Sequence, residues 1–365
     1  MDAMPEAFFE ALLAWYAQSA PDLPWRRSRD PYHIWLAEVM LQQTQIATAL
    51  PYYERFLAAF PTVQALAAAP LERVLKLWEG LGYYSRARNL HRAARRLVAE
   101  HQATLPQSVE ALQQLHGIGR YTAGAIASIA FGQPAAALDG NVMRVLTRLY
   151  DYPAPIERSE AQRQLWQIAE KLAQSAPSGS AAAYTQAMMD LGREICTPRA
   201  PRCSECPVRA FCRAYAAGTQ ALRPLRLPKA PTPHYAVGAA VLSDDSGALL
   251  MAQRPFEGLL GGLWEFPQGQ AGASEPPEVA LIRAAREKLA LEVTVGPLLT
   301  KVRHAFTHFK ITLHAYTCHA ENLTPQPLGY IGFTWIALEE TDRLPISRAD
   351  RAVIAFLRMN QARLC

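Results

Sequence analysis

At 365 residues, 50% hydrophobic and 19% charged with a formal net charge of +5, the chain has ordinary globular composition and exceeds what one hydrophobic core normally organises. Its six cysteines include four in one short run, leaving Cys318 and Cys365, so a disulfide framework is excluded and a reducing compartment is expected. Met1–Glu10 has no basic segment followed by an apolar one, and the longest uncharged run, Tyr121–Leu138, is cut by Gly132, Gln133 and Pro134, so neither a secretory signal nor a membrane span is predicted and the chain reads as cytoplasmic.

Taken in order, the first part is helical throughout. Apolar periodicity predicts helices over Phe8–Ala17, Pro31–Leu41, Gln45–Ala59, Val63–Ala68, Leu71–Trp78 and Ser85–Glu100, then Val109–Gln114, Tyr121–Phe131, Gly140–Leu149 and Gln162–Gln174. Pro224, Pro228, Pro231 and Pro233 break every pattern between Leu222 and His234, which reads as a semi-rigid linker. Beyond it, Ala236–Leu242, Ala248–Gln253, Lys301–Phe306, Phe309–Cys318 and Gly332–Ala337 read as strands, with helices at Pro277–Lys288 and Ser347–Met359. The expected organisation is multidomain: an all-α domain over 1–221, a linker over 222–234, and an α+β domain over 235–365.

Charge is unevenly divided. Residues 1–230 carry 22 Arg and 3 Lys against 19 acids, whereas residues 231–365 carry 12 bases against 13 acids. The basic part is the one expected to meet phosphate.

Three constellations carry chemistry. Cys196, Cys203, Cys206 and Cys212 form a C-x6-C-x2-C-x5-C run, able to close around one soft-ligand centre, an iron–sulfur cluster or zinc. His116-Gly117-Ile118-Gly119 lies between two helices, within 109–131, where a tight glycine turn lets backbone amides converge on an anion such as DNA phosphate. Asp139 stands where the N-cap of the next helix belongs.

These motifs resemble a known family. The cysteine spacing resembles the cluster loop, at 196–212, of the endonuclease III superfamily of DNA glycosylases, and His116–Ile126 with Asp139-Gly140-Asn141 resembles its helix–hairpin–helix and catalytic Asp. Trp35–Gln45 and Gly80–Leu90 resemble the MutY-type adenine DNA glycosylases, across nearly all of residues 20–215. The resemblance implies a [4Fe–4S] cluster on the four cysteines and excision of adenine mispaired with 8-oxoguanine, or with guanine, from double-stranded DNA in base-excision repair, by a monomer with no membrane role. By the same resemblance Trp25 and Arg26 line the adenine pocket, Gln43 and Tyr83 wedge into the duplex, Asn141 orients Asp139, and Gln186 falls where some relatives carry a Glu that meets adenine.

The chemistry is sensible in its own right. Cleaving an N-glycosidic bond needs a proton for the leaving base and a negative group near the cationic sugar. Glu38, in an apolar helix, should have a raised pKa and serve as general acid. Asp139, at a helix N-terminus, should stay ionised. Lyase relatives use a lysine amine where Tyr121 stands, and no lysine occurs between Lys76 and Lys171, so a monofunctional glycosylase is expected; Tyr121 is free to bond the carboxylates. Arg199, Arg202, Arg209 and Arg213 offer a phosphate-facing patch.

The second domain resembles the Nudix-like lesion reader of the MutY type. Gly272-x5-Glu278-x7-Arg286-Glu287 keeps the opening of a Nudix box, but Ala290 and Leu291 stand where two acids belong, so metal-dependent hydrolysis is not expected. Phe306-Thr307-His308 corresponds to the family's lesion-reading F-S-H hairpin. Three other readings stay in view: an endonuclease III-like lyase acting on pyrimidines, a non-catalytic iron–sulfur DNA-binding protein, and a Nudix hydrolase.

Overall fold

A computed structural model describes residues 4–364. The chain folds as two compact units, one from Met1–Ala68 and Arg92–Lys229, the other from Ala69–His91 and Ala230–Cys365. Fifteen α-helices and seven strands occur among the described residues: α1 (Glu6–Ser19), α2 (Pro24–Arg27), α3 (Pro31–Leu41), α4 (Ile46–Ala59), α5 (Val63–Ala68), α6 (Leu71–Trp78), α7 (Ser85–Glu100), α8 (Val109–Gln113) and α9 (Arg120–Phe131). They continue with α10 (Gly140–Leu149), α11 (Ser159–Ser175), α12 (Ala181–Asp190) and α13 (Arg213–Ala216). Then come β1 (His234–Leu242), β2 (Leu249–Gln253), β3 (Trp264–Glu265), β4 (Gln268–Gln270), α14 (Pro277–Leu289), β5 (Thr294–Ala305), β6 (Lys310–His319), β7 (Gly332–Ile336) and α15 (Arg348–Leu364). None of the helices is long and apolar enough to cross a membrane.

In the helical unit the apolar faces of α1, α10, α11 and α12 meet in one core that includes Phe8, Leu12, Leu146, Leu165, Leu172 and Met188. Helix α3 is apolar on every side and buried from Ile34 to Met40, so it carries Glu38 inward with it. Asp30 caps it, accepting the Tyr32 N–H at 2.8 Å, with Pro31 in the first turn where a missing N–H costs nothing. Helix α3 packs on α9, and α9 on α12. Gly124 lets the segment before Asp139 cross α9 closely, since a Cβ there would come within 1.8 Å of the Ala136 carbonyl oxygen. Residues just past 221 remain fastened to this unit: the Ile156 N–H bonds Leu225 O at 3.1 Å, and Arg223 pairs with Asp151 at 2.8 Å.

The second unit holds a four-stranded sheet, order β4-β1-β6-β5, and a three-stranded sheet, order β3-β2-β7. Strands β1 and β6 run parallel from His234 opposite Lys310 to Leu242 opposite Cys318, and β5 and β6 form an antiparallel hairpin closed at Phe306 and Phe309. Period-two alternation sends Val237, Ala239 and Val241 toward Val353 and Leu357 of α15, and Ala240 and Leu242 toward Leu281 and Leu289 of α14. Helix α6 is fastened within the same unit: Glu72 accepts from Trp264 Nε1 at 2.7 Å, Lys76 donates to Leu344 O at 3.1 Å, and Arg351 grips Glu79.

The helical and α+β patterns match the periodicity expected from the sequence, with three kinds of difference. Short elements β3, β4, α2 and α13 were too brief for a period to show, α12 is Ala-rich and weakly patterned, and β5 begins seven residues before the predicted Lys301. The Nudix-box spacing also needs a correction of register. The same Gly-x5-Glu-x7-Arg spacing occurs three residues earlier, and there it is structural: Glu275 pairs with Arg283 at 2.9 Å and accepts the Gly272 N–H, while Gly269 lies where a Cβ would be 2.1 Å from Ala280 O of α14. Glu278 and Arg286 do not pair; Arg286 binds Glu292 at 2.7 Å. In the corrected register the positions for acids hold Ala284, Glu287 and Lys288, so the box is broken there as well. The Lys288 ammonium donates to Gln268 O at 2.9 Å and lies 5.3 Å from the Tyr330 ring centroid.

Candidate active site

A cleft of about 1220 Å³ opens in the helical unit, lined among others by Trp25, Arg26, Glu38, Gln43, Tyr121, Asp139, Asn141 and Gln186. It gathers residues from α2, α3, α9, α10 and α12, which local sequence proximity could not have joined. At its centre the Tyr121 hydroxyl donates to Glu38 Oε2 at 2.9 Å. Burial pushes the Glu38 carboxyl up to about 7; the Tyr121 bond opposes the rise and the nearby Asp139 charge adds to it. A carboxyl poised near neutrality can hold a proton and release it, which a solvated glutamate at pH 7 cannot.

Asp139 caps α10, accepting the Val142 N–H at 2.7 Å and the Asn141 side-chain amide at 3.0 Å. Donors of this kind favour the anion, as the sequence suggested. Burial outweighs them, however, and the carboxyl's pKa lies above its ordinary value rather than below it. When ionised, Asp139 carries its charge against fixed dipoles in a poorly solvated place, where that charge acts strongly on a neighbouring cation.

Trp25 is buried edge-on against Tyr53, with ring centroids 5.1 Å apart. Arg26 forms a two-pronged ion pair with Asp190, 2.6 and 2.9 Å, and lies 5.7 Å from the Tyr16 ring centroid. Gln186 reaches the cleft wall, but its amide nitrogen donates to Ala182 O at 3.1 Å within its own helix. The acid on that wall is Asp190, one turn on, also paired with Arg193 at 2.9 Å. Sequence reasoning missed it; the i, i+4 spacing from Gln186 was the available signal.

Gln43 sits at the cleft mouth and is exposed, with φ 56°, a left-handed backbone that side chains other than Gly rarely adopt. The turn His116-Gly117-Ile118-Gly119 buries Ile118 and exposes the other three residues. Gly117 takes φ 76°, and Gly119 stands as the N-cap of α9, with no side chain capping the helix amides and nothing within 4 Å of an added Cβ. This leaves first-turn N–H donors open to an anion.

In the second unit Tyr83, at φ 49°, hydrogen-bonds through its hydroxyl to the Thr307 hydroxyl. Tyr83 and the hairpin, 224 residues apart in sequence, are therefore in contact. Phe306 packs on His304 and Phe309, with centroids 4.6 and 4.7 Å apart, which stiffens the hairpin arms behind Thr307 and His308.

The four loop cysteines are free and half-buried. Burial, with the charge of the other loop thiolates, pushes the thiols of Cys203 and Cys212 up and that of Cys206 up to about 12. Thiolates crowded together in a half-buried loop need positive charge among them, as an iron–sulfur cluster supplies. No three His, Cys, Asp or Glu groups among the described residues gather tightly enough for a single metal ion. Two arginines missed from sequence organise the loop. Arg148, 1% exposed, donates to Cys196 Sγ at 3.2 Å and to Thr197 O at 2.7 Å. Arg144 joins Cys196 O at 2.7 Å to Asn141 Oδ1 at 2.9 Å. Of the expected phosphate-facing arginines, Arg202 is engaged with Glu205 and with Glu194 O.

Comparisons with known proteins agree with this geometry. Residues 36–171 match the HhH-GPD superfamily of base excision DNA repair proteins, 196–212 the iron–sulfur binding domain of endonuclease III, and 238–356 the NUDIX domain. The chain is 38% identical to the adenine DNA glycosylase of Homo sapiens over 98% of its own length and 75% of that protein's, and 37% identical to the Rattus norvegicus one over 95% and 77%. Its fold is similar to that of a thermostable thymine-DNA glycosylase, with TM-score 0.52 and 28% identity, covering 58% of this chain and 96% of that one. The loop of Cys196, Cys203, Cys206 and Cys212 is a [4Fe–4S] loop, and the chain belongs to the adenine DNA glycosylases, enzymes of base-excision repair.

Proposed function

We propose that the protein hydrolyses adenine from duplex DNA where it lies opposite 8-oxoguanine or guanine, and leaves the strand intact. One observation carries the reading: Glu38, poised near neutrality, shares a cleft with the fixed anion Asp139, and Tyr121 rather than an amine stands between helix and carboxyl. Adenine flipped from the stack enters beside Trp25 and Arg26, with Gln43 and Tyr83 offsetting the lost stacking. Glu38, held through Oε2 by Tyr121, gives its proton to a ring nitrogen of the base. The C1′–N9 bond breaks with its electron pair going to adenine, and Asp139, oriented by Asn141, stabilises the cationic sugar until water adds to C1′ and gives its surplus proton to the Glu38 carboxylate.

The amides at Gly117 and Gly119, beside His116, hold a backbone phosphate. Phe306, Thr307 and His308 read the oxidised guanine, the Thr307 hydroxyl bonding it as a Ser would. In this scheme residues 1–221 form the excising domain, 222–234 the linker and 235–365 the lesion reader. One copy of the chain supplies every group invoked, and the protein acts as a monomer. Cys196, Cys203, Cys206 and Cys212 would hold the [4Fe–4S] cluster, which would organise the loop after α12; the transferred proton and the stabilising charge come from Glu38 and Asp139.

The test is release of free adenine from a duplex with A opposite 8-oxoguanine, in parallel with borohydride treatment. Adenine release, strand breakage only after alkali, and no trapped adduct are the expected results. Efficient trapping would reveal an amine and turn the reading to a glycosylase/lyase.

A further inference from the structure

A second cleft, of about 1250 Å³, lies wholly in the α+β unit and takes no part in the chemistry above. Its floor follows from strand register. Arg303 faces Thr312, Lys301 faces His314, and Ala236 faces Thr312, so these alternate residues of β5, β6 and β1 look out from one side of the sheet. That is the side of α14, because Gly238, next but one along β1 from Ala236, abuts Pro277 at the start of that helix. His234 completes the wall, its Nε2 3.0 Å from the Thr312 hydroxyl.

The lining is cationic and rich in unspent donors. Lys301 and Arg303 are exposed within it. Its one lining carboxylate, Glu275, is committed to Arg283 and the Gly272 N–H. Glu278, whose charge reaches Lys301 and His314, is bonded to Tyr316. His314 Nδ1 is buried with no hydrogen-bond partner, a condition that native proteins rarely tolerate. Burial and the Lys301 charge hold the His314 ring below its ordinary pKa, so the imidazole stays neutral at pH 7 and can offer one N–H. Two cations, a hydroxyl and an unpaired ring nitrogen around one hollow suit a compact anion with several acceptor oxygens.

We propose that this cleft binds the phosphate of a nucleotide, in the DNA backbone or free. Arg303 lies three residues before Phe306 on the same hairpin arm. Three strand residues span about 10 Å, roughly three base steps, so the cleft would hold a backbone phosphate close to the nucleotide at the hairpin tip. The backbone source rests on the hairpin role proposed above; the free source does not.

The test compares the full-length protein with Lys301→Ala/Arg303→Ala and with Thr312→Glu, which puts a negative charge in the hollow while keeping both cations. Duplex affinity would be measured over a salt series, and pyrophosphate and deoxyguanosine monophosphate titrated by calorimetry. For a backbone phosphate, affinity falls about tenfold at low salt, the log–log salt slope shrinks by about 1 per lost cation, and adenine release from saturated complex stays within about twofold. For a free nucleotide, the native protein binds the titrated anions, both variants lose that binding, and the salt slope is unchanged. A native protein that binds neither anion and whose variants keep the native slope overturns the proposal. Loss of adenine release from the native protein would instead overturn the reading of the catalytic cleft and leave the calorimetry standing.

Discussion

Each unit buries a carboxyl whose pKa is pushed up to about 7, Glu38 in the helical unit and Asp350 in the α+β unit, and the two are employed differently. Asp350 is 1% exposed and its bonding is spent: it accepts the Ser347 hydroxyl at 2.6 Å and the Phe266 N–H at 3.3 Å. Beside it Glu265 is gripped by Arg254 at 2.8 Å and by the Tyr330 hydroxyl at 2.9 Å. Glu38 receives a bond on Oε2 from Tyr121 and lines an open cleft. A displaced pKa alone therefore does not make a site. An unsatisfied oxygen facing a cavity does, with a second carboxylate near enough to share the work.

The largest effect should separate this pair. Glu38→Gln keeps shape and loses the transferable proton, so single-turnover adenine release should fall by about 10²–10⁴-fold with duplex binding nearly intact. Asp350→Asn should leave excision within a few-fold and lower the melting temperature. If Asp350→Asn cut excision as deeply as Glu38→Gln, the contrast between spent and unspent carboxyls would be wrong.

Next comes lesion reading. Phe306→Ala/His308→Ala should reduce discrimination of 8-oxoguanine over guanine by roughly 1–3 kcal/mol, about ten- to a hundredfold, with little change on A opposite G. Both duplexes should be compared at one salt concentration. Truncation at the proline-rich stretch is a poorer probe, because residues 69–91 group with 230–365 and would lose their contacts.

Much of this was legible beforehand, for identifiable reasons. The α3 and α10 patterns, the four cysteines and the glycine turn are local signals, and Glu38 and Asp139 were singled out by the resemblance those segments bear to the family. Arg144 and Arg148 were not legible and Asp190 was passed over, since each matters through a partner distant in sequence: Cys196, the carbonyls of 197–198 and Arg26. The Tyr83–Thr307 bond is of the same kind. The box register was misread because two copies of one spacing overlap, and only the Glu275–Arg283 pair distinguishes them.

Smaller effects probe the support behind Asp139. A Cβ at Gly192 would come within 2.8 Å of Asn141 Cβ and 2.9 Å of its carbonyl oxygen. Gly192→Ala should displace Asn141 and slow excision by about tenfold, with KM little changed, since a misplaced positioning group costs rate more than binding. Equal rates would mean that the Asn141–Asp139 bond is not held from this side. Smallest of all, Gln43→Gly should relieve the left-handed backbone and raise stability by about 0.5–1 kcal/mol in denaturant titration, while base release slows. Unchanged stability would remove the idea that strain is stored at the wedge.

The central claim, that Glu38 delivers the proton, is tested most directly by the pH dependence of single-turnover adenine release. The acid form of Glu38 prevails below its pKa, so the wild-type rate, which should fall separately at low pH where Asp139 takes up a proton, should fall toward tenfold per unit once pH rises past about 7. The Glu38→Gln variant should keep only a slow residual rate without that inflection. A wild-type profile flat from pH 5 to about 9, or the same inflection in the variant, would contradict the assignment.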